Sequence, residues 1–201
     1  MDVALFGIMS AFGLSASAGL NAYIPLLVVG VIAHYTNWIR LSPPYDLLAN
    51  PWILILVGLL LIVEMLVDKI PAVNHINDII QTVFRPAAGA IVFAASSQAV
   101  TGISPLLALA CGLLVAGSVH TVKSVAIRPA VTATTGGTAN VPVSLAEDGV
   151  ATVVSVISVI VPVLTGVIVV VLIALLIWWI WRRIVRKKSS GDASNEVPGK
   201  E

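Results

Sequence analysis

Apolar runs follow one another almost without interruption along this chain, at 3–14, 22–33, 52–67, 87–95, 105–119 and 150–181, and they leave few ways to fold. A helix needs about 20 apolar residues to cross a hydrocarbon core, so several of these runs are short or broken. The residues are 58% hydrophobic and 10% charged, with a mean hydropathy of +1.03, far outside the range of a soluble globular domain, and no nucleic-acid partner is expected. Backbone polar groups in lipid must be satisfied within the chain. The expectation is therefore an all-α, polytopic helical membrane protein with about six membrane segments. As one helix the last run would be about 48 Å long, too long for a core of about 30 Å, so it is expected to break near Pro162 and Gly166 and supply two passes.

A short polar passage interrupts this pattern twice. Ser15-Ala16-Ser17-Ala18-Gly19-Leu20-Asn21-Ala22-Tyr23-Ile24-Pro25 aligns with Thr132-Ala133-Thr134-Thr135-Gly136-Gly137-Thr138-Ala139-Asn140-Val141-Pro142. Ala, Gly, Ala and Pro are identical, Ser becomes Thr twice and Ile becomes Val. Paired helix breaks in a membrane chain are a transporter-like device, because unpaired backbone is tolerated where it lines a cavity. An internal repeat with copies at 15–25 and 132–142 is expected, each copy crossing or re-entering the membrane.

Charge sets the orientation. With six passes and a cytoplasmic start, Lys69, Arg85, Lys123, Arg128 and the cluster from Arg182 to Lys188 fall on one side, and Arg40 lies opposite. The positive-inside bias makes the populated side, and the C-terminus, cytoplasmic. Trp178, Trp179 and Trp181 form an interfacial belt, as do Tyr35 and Trp38. Ala16-Ser17-Ala18 resembles a signal-peptidase site, yet no cation precedes it, so a retained first helix is expected. Cys111 is the single cysteine, which excludes an internal disulfide and points to packing. Residues 1–188 form one transmembrane domain, and 189–201 lack apolar content and read as a disordered cytoplasmic tail.

Two segments carry the remaining polar chemistry. Glu64 and Asp68, four apart, share a helix face and approach as like charges, with Lys69 as the nearby counter-ion. After Pro71, Val73, Ile76, Ile80 and Val83 alternate at helical period with Asn74, Asn77, Asp78, Gln81 and Arg85, the pattern of a helix lying along the interface. His75 and Asp78 could share a proton, but two ligands do not make a metal site. Further on, Ala108, Gly112 and Ala116 form a small-residue seam that leads to His120. Arg128-Pro129-Ala130 echoes Arg85-Pro86-Ala87, a cation placed where proline begins or redirects a helix. Gly136 and Gly137, with Lys123 and Arg128 nearby, could cradle an anion, and Glu147 and Asp148 precede an apolar helix.

These passages together resemble a family of small bacterial multi-pass membrane proteins known as a domain of unknown function. The residues that carry the likeness are 15–23, Val67-Asp68-Lys69-Ile70-Pro71, Arg85-Pro86-Ala87-Ala88-Gly89 and Ser144-Leu145-Ala146-Glu147-Asp148-Gly149. The resemblance implies a bacterial inner-membrane location and marks the polar passages as family hallmarks. It brings no activity or substrate with it.

The expected function is a small transporter or translocase for an anionic solute or phosphorylated lipid, working as a homo-oligomer among membrane lipids. Asn21, Arg85, Lys123, Arg128, Gly136, Gly137 and Asn140 are the candidate substrate contacts. Glu64, Asp68, Asp78, His120, Glu147 and Asp148 are candidates for proton coupling or charge compensation. No catalytic residue, metal or cofactor is assigned. The alternatives are a metal-dependent membrane enzyme acting on a phosphorylated lipid, using Glu64, Asp68, His75, Asp78, Glu147 and Asp148, and a non-catalytic scaffold.

Overall fold

The computed structural model describes residues 2–68, 71–165, 167, 168, 170, 171, 174, 175, 178, 181 and 182; at 2, 3, 71–76, 78 and 98–101 the description is of the backbone. Among these residues the chain is all-helical. Its elements are α1 (Asp2–Leu20), α2 (Tyr23–Tyr35), a 3-10 turn (Tyr45–Ala49), α3 (Pro51–Val67), α4 (Pro71–Thr101), α5 (Pro105–Val122), a π-helical turn (Lys123–Ile127), α6 (Arg128–Thr135) and α7 (Asn140–Ile160). Three helical stretches, Ile79–Ser97, Pro105–Thr135 and Asn140–Ile160, are long and apolar enough to cross a membrane, and Ala4–Leu20, Tyr23–Tyr35 and Pro51–Val67 are shorter apolar helices. The protein is a polytopic helical membrane protein.

Two compact units are present, Met1–Gly166 and Val167–Glu201. In the second, the Arg182 guanidinium lies 4.9 Å from the centroid of the Trp178 ring, a cation–π contact suited to an interface. The proposed tail at 189–201 lies outside the described residues.

The first unit is built on α1, which packs against α4, α5 and α7. Lipid tails are as apolar as leucine, so close van der Waals contact rather than hydrophobic expulsion holds such helices together. Small residues supply it. A Cβ at Gly89 of α4 would collide with the Ala116 side chain of α5, and one at Gly112 of α5 would collide with the Gly89 carbonyl and lie 2.7 Å from the Ala90 Cα. Ala108, Gly112, Ala116 and His120 are all buried on one face of α5. Ser15 of α1 seals this crossing by donating to the Gly112 carbonyl at 2.7 Å and the Gly89 carbonyl at 3.2 Å. Leu14, Val29 and Val92 fill the core, and Phe12 meets Phe93 edge to face at 5.1 Å.

Two expectations change. The segment after Pro71 is not a separate interfacial helix, because α4 runs unbroken through Pro86. Its polar side is turned inward, with Asn77, Gln81 and Arg85 buried, while Ile79, Ile80, Val83 and Phe84 are exposed. An apolar outside and a polar inside suit lipid rather than water. At Arg128-Pro129, by contrast, α6 does begin at the cation with proline in its first turn, directly after the π turn that follows α5. Finally, Arg85, Lys123 and Arg128 are interior groups rather than loop charges. The last apolar run does break as anticipated: α7 ends at Ile160, Val161 is non-helical and helix resumes at Pro162.

Candidate functional site: a buried ion-pair cluster

In both polar passages the helix resumes two residues before the proline, at Tyr23 for Pro25 and at Asn140 for Pro142. Their surroundings differ. Ser15, Ser17, Ala18, Asn21 and Ala22 are buried, whereas Thr132, Thr134, Gly136 and Thr138 are exposed. Gly136 and Gly137 take positive φ, at 61° and 88°, and close α6 in the left-handed turn that glycine permits. Asn140 exchanges hydrogen bonds with the Thr132 hydroxyl at 3.2 and 3.3 Å. The side chains of Lys123 and Arg128 are engaged elsewhere, so Gly136, Gly137 and Asn140 are not brought to the cations.

What gathers instead is an ion-pair cluster inside the bundle. The Arg85 guanidinium donates to Glu64 Oε1 at 3.0 Å, with both side chains almost wholly buried. Arg85, rather than Lys69, is the counter-ion seen at Glu64; Lys69 lies outside the described residues. Glu64 is the buried residue of α3, whose other residues are exposed or half-buried. Arg85 also approaches His120 Nδ1 at 3.4 Å, and His120 Nε2 lies 3.2 Å from the Thr82 hydroxyl. Asp68, one turn on from Glu64, accepts from Asn77 at 2.6 Å, Ser144 at 2.8 Å and Arg128 at 3.3 Å.

Glu147 Oε2 is the meeting point of two cations, Lys123 Nζ at 2.7 Å and Arg128 Nη2 at 3.4 Å. Lys123 and Arg128 are five residues apart, which at about 100° per residue would turn them roughly 140° away from each other in an α-helix. The π turn removes this mismatch: the Arg128 N–H bonds to the Lys123 carbonyl, five residues back, and both side chains face inward. Lys123 also donates to the Leu20 carbonyl at 3.0 Å. That carbonyl is left open because α1 ends there, and a cation at a helix C-terminus is favoured by the dipole.

Asp148 accepts from Asn21 at 2.9 Å, and below it Ser17 donates to the Ala151 carbonyl at 2.8 Å and lies 2.7 Å from the Ser155 hydroxyl. Among the described residues the cluster thus holds three buried cations, Arg85, Lys123 and Arg128, against four buried carboxylates, Glu64, Asp68, Glu147 and Asp148. Glu64 Oε2, Arg85 Nε, Glu147 Oε1 and Gln81 Oε1 are buried without a hydrogen-bond partner among the described residues. Such orphan atoms are costly, and they are found where a ligand, an ion or water completes the set. No three His, Cys, Asp or Glu side chains among the described residues gather as a metal centre requires. Asp78 sits on α4, but its side chain and that of His75 lie outside the described set.

The sequence did not single out Ser144, Asn77 and Gln81 as cluster members. Asn77 and Gln81 fit the wet side of an interfacial helix, and Ser144 stands only as the first residue of a passage that carries the family resemblance. The inside-out amphipathicity of α4 was the signal that could have found the first two.

The fold and cluster define a small polytopic membrane protein with a charged interior. The chain belongs to the family described as Domain of unknown function (DUF4126), whose model matches residues 8–182. No curated protein and no solved structure matches it.

Proposed function

We propose that this protein is a small proton-coupled transporter or translocase for an anionic solute or a phosphorylated lipid. The observation that supports the reading best is the buried cluster in which Glu147 holds Lys123 and Arg128, Glu64 holds Arg85, and several polar atoms lack partners. Buried ionisable groups are expensive in a membrane, and they mark substrate paths and proton relays more often than simple packing. Each cation is held by a carboxylate, so an anion gains access by replacing one. Protonation of Glu147 removes the charge that neutralises Lys123 and Arg128, and an incoming anion takes its place. The cluster's net charge is unchanged when a proton and a monovalent anion enter together, which keeps the desolvation cost of crossing low.

In this scheme Arg85, Lys123 and Arg128 contact the substrate, and Glu64, Asp68, His120, Glu147 and Asp148 carry or balance the proton. The first polar passage serves by opening the Leu20 carbonyl to Lys123 and by supplying Asn21 to Asp148. The protein works as a homo-oligomer in a bacterial inner membrane, with its C-terminus cytoplasmic; reporter fusions at the C-terminus test that orientation.

The experiment is proton flux in proteoliposomes. Adding external anion (inorganic phosphate, glycerol 3-phosphate or succinate) should acidify the lumen in the wild type, and Glu147→Gln should abolish the response while the protein remains folded. A lumen that stays unchanged with every anion, together with unfolding of Glu147→Gln, would instead favour a scaffold whose ion pairs fix packing.

A further inference from the structure

A second polar site lies at the far end of the bundle from the ion-pair cluster. A cavity of about 330 Å³ opens between the first turns of α1, the loop after α2, and the later parts of α4 and α7. Phe6, Ser10, Trp38, Arg40, Ser96 and Val159 line it. Ser96 and Val159 are each eleven residues from a cluster member on the same helix, Arg85 and Asp148, and Ser10 is ten residues from Leu20 of α1, whose carbonyl accepts from Lys123. At 1.5 Å per residue the two sites are therefore about 16 Å apart along the helices.

The chemistry of this cavity is unlike that of the cluster. Arg40 is exposed, and no described carboxylate forms an ion pair with it, whereas the interior cations are matched. Ser96 is 7% exposed, and its hydroxyl has no hydrogen-bond partner among the described residues. Phe6, Trp38 and Val159 supply apolar walls beside these polar groups. Arginine presents a rigid fork that matches phosphate and carboxylate oxygens, and a cavity near 300 Å³ is at the small end of ligand sites. It suits a headgroup-sized anion with an apolar portion against the wall.

We infer that this cavity binds the phosphate of an anionic lipid headgroup or a free small phosphate, with Arg40 as the anion contact and Ser10 and Ser96 as hydrogen-bonding partners. The inference goes beyond the transport reading and does not depend on it. The site would stand in a scaffold as well as in a transporter.

The test uses the full-length protein in detergent and measures, by native mass spectrometry, phosphatidylglycerol retained against phosphatidylcholine. Wild type should retain the anionic lipid preferentially. Arg40→Gln should lower that retention roughly tenfold, as expected for the loss of a charge-assisted bidentate contact, with no change in unfolding temperature. Val159→Phe, which fills the cavity without touching charge, should lower it too. If that variant does not fold, Ser96→Ala replaces it and should give a several-fold decrease.

In a parallel arm inorganic phosphate is added to delipidated protein. A rise in unfolding temperature that Arg40→Gln abolishes identifies free phosphate as a ligand, and lipid retention without that rise identifies the headgroup. Retention and phosphate response both indifferent to Arg40 overturn the site. Loss with Arg40→Gln but none with the cavity variants also overturns it, because that is the behaviour of any interfacial arginine. Neither readout involves transport, so a failure here is separable from a failure of proton flux in Glu147→Gln.

Discussion

Asn21 joins two distant parts of the chain: its amide donates to Asp148, 127 positions away, at 2.9 Å, while its carbonyl oxygen accepts from the backbone N–H groups of Tyr23 at 3.0 Å and Ile24 at 3.2 Å. One side chain therefore caps the start of α2 and partners a buried carboxylate of α7. Asn21→Ala removes both contacts and leaves Asp148 buried without this donor, a loss of about 1–3 kcal/mol for the orphaned acceptor. Thermal unfolding in detergent measures it. Asn21→Asp, which keeps the cap but sets a second carboxylate against Asp148, should unfold at a lower temperature than wild type.

The Glu64–Arg85 pair is buried on both sides. Removing one partner leaves an uncompensated charge, so Glu64→Ala and Arg85→Ala should each destabilise by about 3–5 kcal/mol. The double variant should cost clearly less than the two single losses added together, since neither charge is then stranded. Strict additivity in this cycle would show that the two side chains do not interact in lipid.

Close packing at the α4–α5 crossing is tested at its glycines. Gly89→Val and Gly112→Val force backbone and side chains apart and should destabilise by about 1–3 kcal/mol or more. Gly117 is the internal control, because a Cβ there comes no nearer than 3.7 Å to the Pro86 side chain. Gly117→Ala should leave the unfolding temperature within error of wild type.

Much of this architecture is legible in the residues themselves. The apolar runs give the helices, the Ala108-Gly112-Ala116 spacing gives the packed face of α5, and the polar passages mark where helices stop. The cations and acids of the cluster are also visible one by one. Their pairing is not, because Glu64 with Arg85 and Asp68 with Arg128 are tertiary contacts between residues 21 and 60 positions apart. Glu64 and Asp68 do lie one helical turn apart and both are buried, and each also meets a cation, Arg85 and Arg128.

The π turn shows a further limit. Periodicity arguments presume about 100° per residue, and at that angle Lys123 and Arg128 do not share a face. An i to i+5 bond at this point re-registers the helix and lets both reach Glu147. The glycines at 136 and 137 misled in the opposite sense. Their sequence fits an anion cradle, but their positive φ values serve the end of α6, and the nearby cations turn inward to carboxylates.

Proton movement in proteoliposomes tests the central claim most directly. With the lumenal pH followed by an entrapped dye, addition of external phosphate, glycerol 3-phosphate or succinate should drive protons inward with wild-type protein and not with folded Glu147→Gln. An equal response from wild type and Glu147→Gln, or no response to any of these anions, would contradict the assignment of the Lys123–Glu147–Arg128 cluster as a proton-coupled anion site.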